Sequence, residues 1–200
     1  IQIQGRATLG GNLCNASPSA DTTPSLIAHS AVCHIVGPEG KRSMPVEDFC
    51  IAPGKNALNQ GELLVSLQIP ANKKNQGAHY QRFIPRNEMD IAVVGVGSWV
   101  ELANRGKKFK KARISLASVG PTPIFASAAS EALVGQTVSD EAIAAAGEAA
   151  QSVARPISDM RGPAEFRTHL VGVLVKRTIE GAIARAKGHF VANAIQEAAG

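Results

Sequence analysis

The residues best placed for chemistry lie near the start of the chain, in Ala7-Thr8-Leu9-Gly10-Gly11-Asn12-Leu13-Cys14-Asn15-Ala16-Ser17-Pro18-Ser19-Ala20-Asp21. The glycine pair Gly10-Gly11 stands between a hydroxyl on Thr8 and a carboxamide on Asn12. Residues without side chains let backbone N–H groups approach a bulky anion, and short polar side chains complete such a cradle. Ser17, Asp21, Thr22 and Thr23 then precede Pro24 and the apolar run Leu26-Ile27-Ala28, which reads as a capped helix start. A glycine loop feeding a helix N-terminus suits a pyrophosphate, because free N–H groups and the helix dipole both favour negative charge. Asp21 can accept hydrogen bonds from ribose hydroxyls, cap the helix, or do both. The competing reading is a plain turn followed by an ordinary capped helix. Neither a P-loop Lys-Ser/Thr pair nor a Gly-x-Gly-x-x-Gly accompanies the glycines.

Other reactive residue types form no comparable constellation. Cys14, Cys33 and Cys50 are widely spaced and give neither a disulfide framework nor a zinc pattern, which fits a reducing cytoplasm. His29 and His34 are poorly spaced for a metal, and His79, His169 and His189 are scattered, so all read as structural or surface residues. No paired carboxylates, Ser-His-Asp set or activated cysteine argues for acid–base or nucleophilic catalysis. The net charge of +5 is densest at Lys107-Lys108-Phe109-Lys110-Lys111 and Arg113. With aromatic residues at 4%, the run lacks a stacking platform for nucleic acid. It reads as a solvated hairpin tip first and a partner-docking patch second.

The elements that must position the glycine stretch follow from periodicity. A short helix is expected over Leu26 to Ala31, then a hairpin of Val32–Val36 with Lys41–Pro45 across Gly37-Pro38-Glu39-Gly40. Leu63 to Ile69 is a strand closed by Pro70. Ala71 to Gln76 is polar and unpatterned, a linker between two domains. Beyond it come a short strand at Tyr80–Ile84 and a longer one at Ile91–Val100. Lys111–Val119 alternates Ala112, Ile114 and Leu116 against Arg113 and Ser115, the mark of a half-buried strand. After Gly120-Pro121-Thr122-Pro123 come helices at Ala126–Leu133, at Ala142–Ala154 behind Ser139-Asp140-Glu141, and from Pro163 to about Lys187. Strands followed by helices argue an α+β fold. With 44% apolar residues and no run of membrane-spanning length or secretory leader, the chain reads as soluble. It opens at Ile1 inside Ile1-Gln2-Ile3-Gln4, which suggests a fragment or a processed product.

The string from Ala7 to Pro24 resembles the second flavin-binding segment of the xanthine dehydrogenase and carbon monoxide dehydrogenase flavoproteins, the medium, FAD-binding subunits of molybdenum hydroxylases. Gly61-Glu62-Leu63-Leu64 through Pro70, Tyr80-Gln81-Arg82-Phe83 through Ala92, Ser118 to Pro123 and Asp159 to Arg167 extend the resemblance along the chain. It implies residues 1–71 as the C-terminal portion of an FAD-binding domain, and 78–187 as a three-stranded antiparallel sheet with a helical bundle. Residues 188–200 are then a tail. It further implies that Thr8, Leu9, Gly10, Gly11 and Asn12 line the FAD pyrophosphate, Asp21 holds a ribose, and Leu64 packs near the flavin or adenine. Arg82 stands where relatives often carry a lysine close to the flavin, or else pairs with Glu88 or Asp90. The family's first glycine-rich loop precedes this motif, so the 200 residues alone are expected to hold FAD weakly. The implied activity is that of the flavoprotein component of an oxidoreductase. Electrons come from iron–sulfur clusters on a partner subunit and pass through FAD to NAD, oxygen or a quinone. Substrate oxidation takes place on a molybdopterin-binding subunit, and no nucleic acid is involved. A non-catalytic assembly module of the same complex is the alternative.

Overall fold

The computed structural model describes residues 5–86 and 90–189. The expectations for Ile1–Gln4, for Glu88 as a partner of Arg82 and for the tail beyond His189 lie outside the described residues.

Thr8, in extended conformation, caps a short helix α1 (Leu9–Cys14) by accepting from the Gly11 N–H at 2.9 Å. Helix α2 (Thr23–Ala28) carries Pro24 in its first turn, where the missing N–H breaks no helical bond. It starts and ends earlier than the expected Leu26–Ala31, because Ser30 turns the chain at φ 53°. Strands β1 (Val32–Gly37) and β2 (Gly40–Pro45) form the expected hairpin, closed by Gly40 at φ 115°. A small hairpin, β3 (Cys50–Ala52) and β4 (Lys55–Asn56), follows. Then β5 (Leu63–Gln68) pairs antiparallel with the other side of β1, giving the order β2-β1-β5. Alternation along β1 buries Cys33 and Ile35 against Leu13, Ile27, Val46 and Phe49, the first apolar cluster. Arg42 on β2 grips Glu62 through both carboxylate oxygens at 2.7 Å each.

The second sheet is an antiparallel meander of β6 (Gln76–Phe83), β7 (Val94–Ala103) and β8 (Lys108–Ala117). To the three expected strands it adds a two-residue fourth, β9 (Ile124–Phe125), at the edge of β8. One face presents Val94, Val96, Val100, Leu102, Ile114 and Leu116 to the larger apolar cluster. Helices α3 (Ser127–Leu133) and α5 (Ala164–Ala186) cover that face, and α4 (Asp140–Val153) packs on both of them. Ser139 caps α4 through the Ala142 N–H, as its position before Asp140-Glu141 predicts. Helix α5 lies directly on β6, because a Cβ on Gly77 would overlap the Ala182 carbonyl. Its entry is held by Arg167, which is buried and donates to the Val93 and Ser118 carbonyls and to Asp159.

The opposite face of the same sheet is polar and glycine-rich, and the N-terminal elements sit on it. Ser115 Oγ donates to the Pro24 carbonyl at 2.6 Å, and Arg113 Nε donates to the Ile27 carbonyl at 3.0 Å. Arg113 also pairs with Glu47 at 2.7 Å and stacks 3.9 Å above the Phe125 ring. A Cβ on Gly97 would come within 2.8 Å of the Pro24 carbonyl, so the glycine sets how closely α2 can approach. Two faces, two covers: the alternation of β8 between apolar and polar residues is the boundary between them.

Candidate functional site

The glycine pair does not form a loop ahead of α2. It occupies the first turn of α1, a correction to the sequence reading that follows from Thr8 supplying its own cap. As the first two helical residues, Leu9 and Gly10 carry N–H groups with no intrahelical acceptor. Leu9 and Gly11 are exposed and Gly10 half-buried, so this turn lies at the protein surface. Around Gly10 the nearest atom to an added Cβ would be Leu64 Cδ2 at 4.0 Å, while at Gly11 it would be Thr8 Oγ1 at 3.0 Å. Leu64, opposite Ile35 on β5 and packed against the N-terminal cluster, is thus the floor beneath Gly10.

Asn12 and Thr8 have tasks inside the protein as well. The Asn12 Oδ1 accepts from the Thr22 N–H at 3.1 Å and from the Thr22 hydroxyl at 2.6 Å. That lashes α1 to the start of α2 and brings Asp21 to the same edge. Thr22, not Asp21, is the N-cap residue of α2, and its side chain makes no capping bond because Asn12 holds it. Asp21 is therefore free of the capping role. Its Oδ2 accepts from Arg82 Nη1 at 2.6 Å and its Oδ1 lies 3.5 Å from the Tyr80 hydroxyl. Asp90 pairs instead with Arg86 at 3.3 Å.

The six N-terminal candidates, Thr8 to Asn12 with Leu64, come together around α1. Asp21 joins them through Thr22, and Arg82 joins through Asp21 across 61 positions of chain. Tyr80 carries no site role in the sequence reading, where it only opens a strand. Its signal is position: two residues before Arg82 on one strand, it projects from the same face. Burial and the neighbouring Asp21 charge push its hydroxyl up from the ordinary phenol range. A Cβ on Gly95 would lie 3.1 Å from that hydroxyl, so the strand below must be bare. The thiols offer no competing chemistry. Burial raises all three, Cys33 to about 12, which keeps them protonated and unreactive. Among the described residues no group of His, Cys, Asp and Glu is arranged to hold a metal ion. No helix there is long and apolar enough to cross a membrane.

Comparisons with known proteins place the chain in a family. Residues 1–72 match the FAD binding domain in molybdopterin dehydrogenase, and residues 79–182 match the CO dehydrogenase flavoprotein C-terminal domain. The carbon monoxide dehydrogenase medium chain of Afipia carboxidovorans is 35% identical over 186 residues, covering 93% of this chain and 64% of that protein. The xanthine dehydrogenase FAD-binding subunit of Escherichia coli O157:H7 is 31% identical, covering 94% and 64% respectively. Among solved structures, a carbon monoxide dehydrogenase from Hydrogenophaga pseudoflava superposes with a TM-score of 0.88 at 31% identity. It covers 92% of this chain and 63% of that one. The chain thus spans just under two thirds of the length of these relatives. With both domain models matched in order along one chain, and the fold superposing over nearly all of it, the chain belongs to the FAD-binding subunit family of the xanthine dehydrogenase and carbon monoxide dehydrogenase flavoproteins.

Proposed function

We propose that this chain forms part of the flavoprotein subunit of a cytoplasmic, multi-subunit molybdenum hydroxylase, and that its α1 turn and Asp21 hold the phosphate and ribose portions of FAD. The observation that carries this reading is the first turn of α1, where the Leu9 and Gly10 N–H groups have no intrahelical acceptor and a Cβ on Gly10 would meet nothing nearer than Leu64 Cδ2 at 4.0 Å. The donor set fits a diphosphate: two backbone N–H groups at the positive end of a helix, no acid in that first turn, and a bare Cα between them. Asp21 keeps free lone pairs despite its bond to Arg82 and is half exposed, so it accepts from ribose hydroxyls. Leu64 gives the turn an apolar neighbour at Gly10. Arg82 fixes the Asp21 carboxylate and places a cation at the same edge, where negative charge on the bound ligand is offset.

FAD, when bound, supplies two-electron storage and one-electron exchange. The chain's own work is to seat that group, set its electrostatic surroundings and limit access to it. Electrons come from an iron–sulfur subunit, which is reduced by a molybdopterin-binding subunit, and leave to NAD, oxygen or a quinone. The three free, protonated cysteines are compatible with a reducing compartment.

The test uses the protein at its full natural length, purified with its neighbouring subunits. Yellow flavin absorption and co-migration with iron–sulfur and molybdopterin subunits are the expected results. Asp21→Ala should weaken FAD by roughly 1–3 kcal/mol, the scale of a charge-assisted hydrogen bond. Stability should change by under about 1 kcal/mol, since the Asp21–Arg82 pair is partly exposed. Equal FAD content in variant and parent after gel filtration would refute the ribose role.

A further inference from the structure

A crevice of about 810 Å³ runs between the 70–73 linker and the polar face of the second sheet, at the C-terminal end of α2. Its lining includes His29, Asn72, Lys73, Trp99, Glu101 and Lys111, none of which belongs to the α1 turn or to the Asp21–Arg82 pair. Trp99 is the only tryptophan in the chain and belongs to neither apolar cluster. Strand period places it on the polar face, and its indole N–H donates to Asn72 Oδ1 at 3.2 Å. The ring is therefore held in place with part of its surface open to the crevice.

The charges along the crevice are unevenly satisfied. Glu101 accepts from Lys110 at 2.5 Å and Gln76 at 3.1 Å, and those bonds hold its carboxyl below the usual range. Arg113 is paired with Glu47. Lys73 and Lys111 are exposed and form no ion pair with the described residues. Lys107 and Lys108 continue the positive field to the hairpin tip. The one acid in the lining, Glu101, is paired with Lys110 and stands opposite Lys111 in the β7–β8 register, so with Lys73 the lining keeps a net positive charge beside a fixed aromatic plate. That is the complement of an acidic segment carrying one large apolar side chain. A nucleic-acid strand would need successive aromatic plates, and here there is one.

We propose that this crevice docks an extended acidic segment of a partner protein, with an apolar side chain of that segment seated on Trp99 between Lys73 and Lys111. The proposal does not depend on the cofactor reading, since the two sites share no residue.

The protein at its full natural length is titrated with a synthetic peptide of about a dozen residues, rich in Glu and Asp around one leucine, and the emission change that Trp99→Phe removes is followed. The expected result is a saturable change with a dissociation constant in the micromolar range, weakening steeply with salt. Lys73→Glu with Lys111→Glu should weaken it at least about tenfold, and the milder pair of Gln substitutions by less. Lys41→Glu, on the β1–β2 hairpin away from the crevice, should leave it unchanged. Absence of a saturable change overturns the proposal. So does equal weakening by Lys41→Glu, or tighter binding of an oligothymidylate of the same length.

Discussion

Replacing Gly10 by alanine separates folding from cofactor binding, because the two should move in opposite directions. Gly10 is the second residue of α1, in ordinary helical backbone, and an added Cβ meets nothing nearer than Leu64 Cδ2 at 4.0 Å. The fold therefore has room for the methyl. Alanine in a helix is favoured over glycine by roughly 0.5–1 kcal/mol, so stability should hold or rise by that amount. For a chain of this size the melting temperature would gain about 2–4 °C per kcal/mol. On the proposed reading the diphosphate lies against this turn and meets the added methyl. Losing one close, charge-assisted backbone contact costs roughly 1.5–3 kcal/mol, which weakens FAD about ten- to hundredfold. Gly11→Ala is a poorer probe, since its Cβ would press on the capping Thr8 hydroxyl at 3.0 Å. The assay pairs calorimetric titration of the full-length apoprotein with FAD against thermal denaturation followed by circular dichroism. If Gly10→Ala binds FAD within about threefold of the parent, the phosphate does not approach this turn. If it melts lower, the helical conformation argued for Gly10 is wrong.

Two further outcomes test the frame around the site. Gly77→Ala should destabilise the fold by about 3 kcal/mol or more, because its Cβ would overlap the α5 backbone at Ala182 and Ala186, which cannot move aside like a side chain. A melting temperature within about 2 °C of the parent would show that the helix has slack there. Arg42, and after it the Asn59 N–H, hold the Glu62 carboxyl down to about 2. A carboxyl depressed in the folded state stabilises above its unfolded value near 4.3, and that contribution fades as pH falls towards 2. The gap in melting temperature between the parent and Glu62→Gln should therefore shrink over this window, and a constant gap would refute the linkage.

Local order was written in the sequence to the extent that neighbours along the chain decide it. The turn Gly37-Pro38-Glu39-Gly40 gave the β1–β2 hairpin, and the Ser139 cap gave the start of α4. The alternation of β8 announced a half-buried strand, since side-chain period and burial are properties of one segment. The glycine pair and its flanking polar residues were readable by type and spacing as a candidate anion cradle. Their placement in a helix was not, because that depends on Thr8 and Thr22 being occupied by bonds ten residues apart or closer.

What only the tertiary structure decided is which surfaces meet. Asp21 could cap the helix, hold a ribose or do both, and nothing within its own segment ranked those roles. Arg82 reaches it from 61 positions away because the polar face of the second sheet seats the N-terminal elements. The same packing turned Arg113 and Ser115 from solvent-facing strand residues into anchors for α2, and left Trp99 in a crevice instead of a core. Such assignments turn on distances between segments that are far apart in sequence. A segment's own pattern fixes which way each side chain points, while the meeting of two faces fixes what it touches.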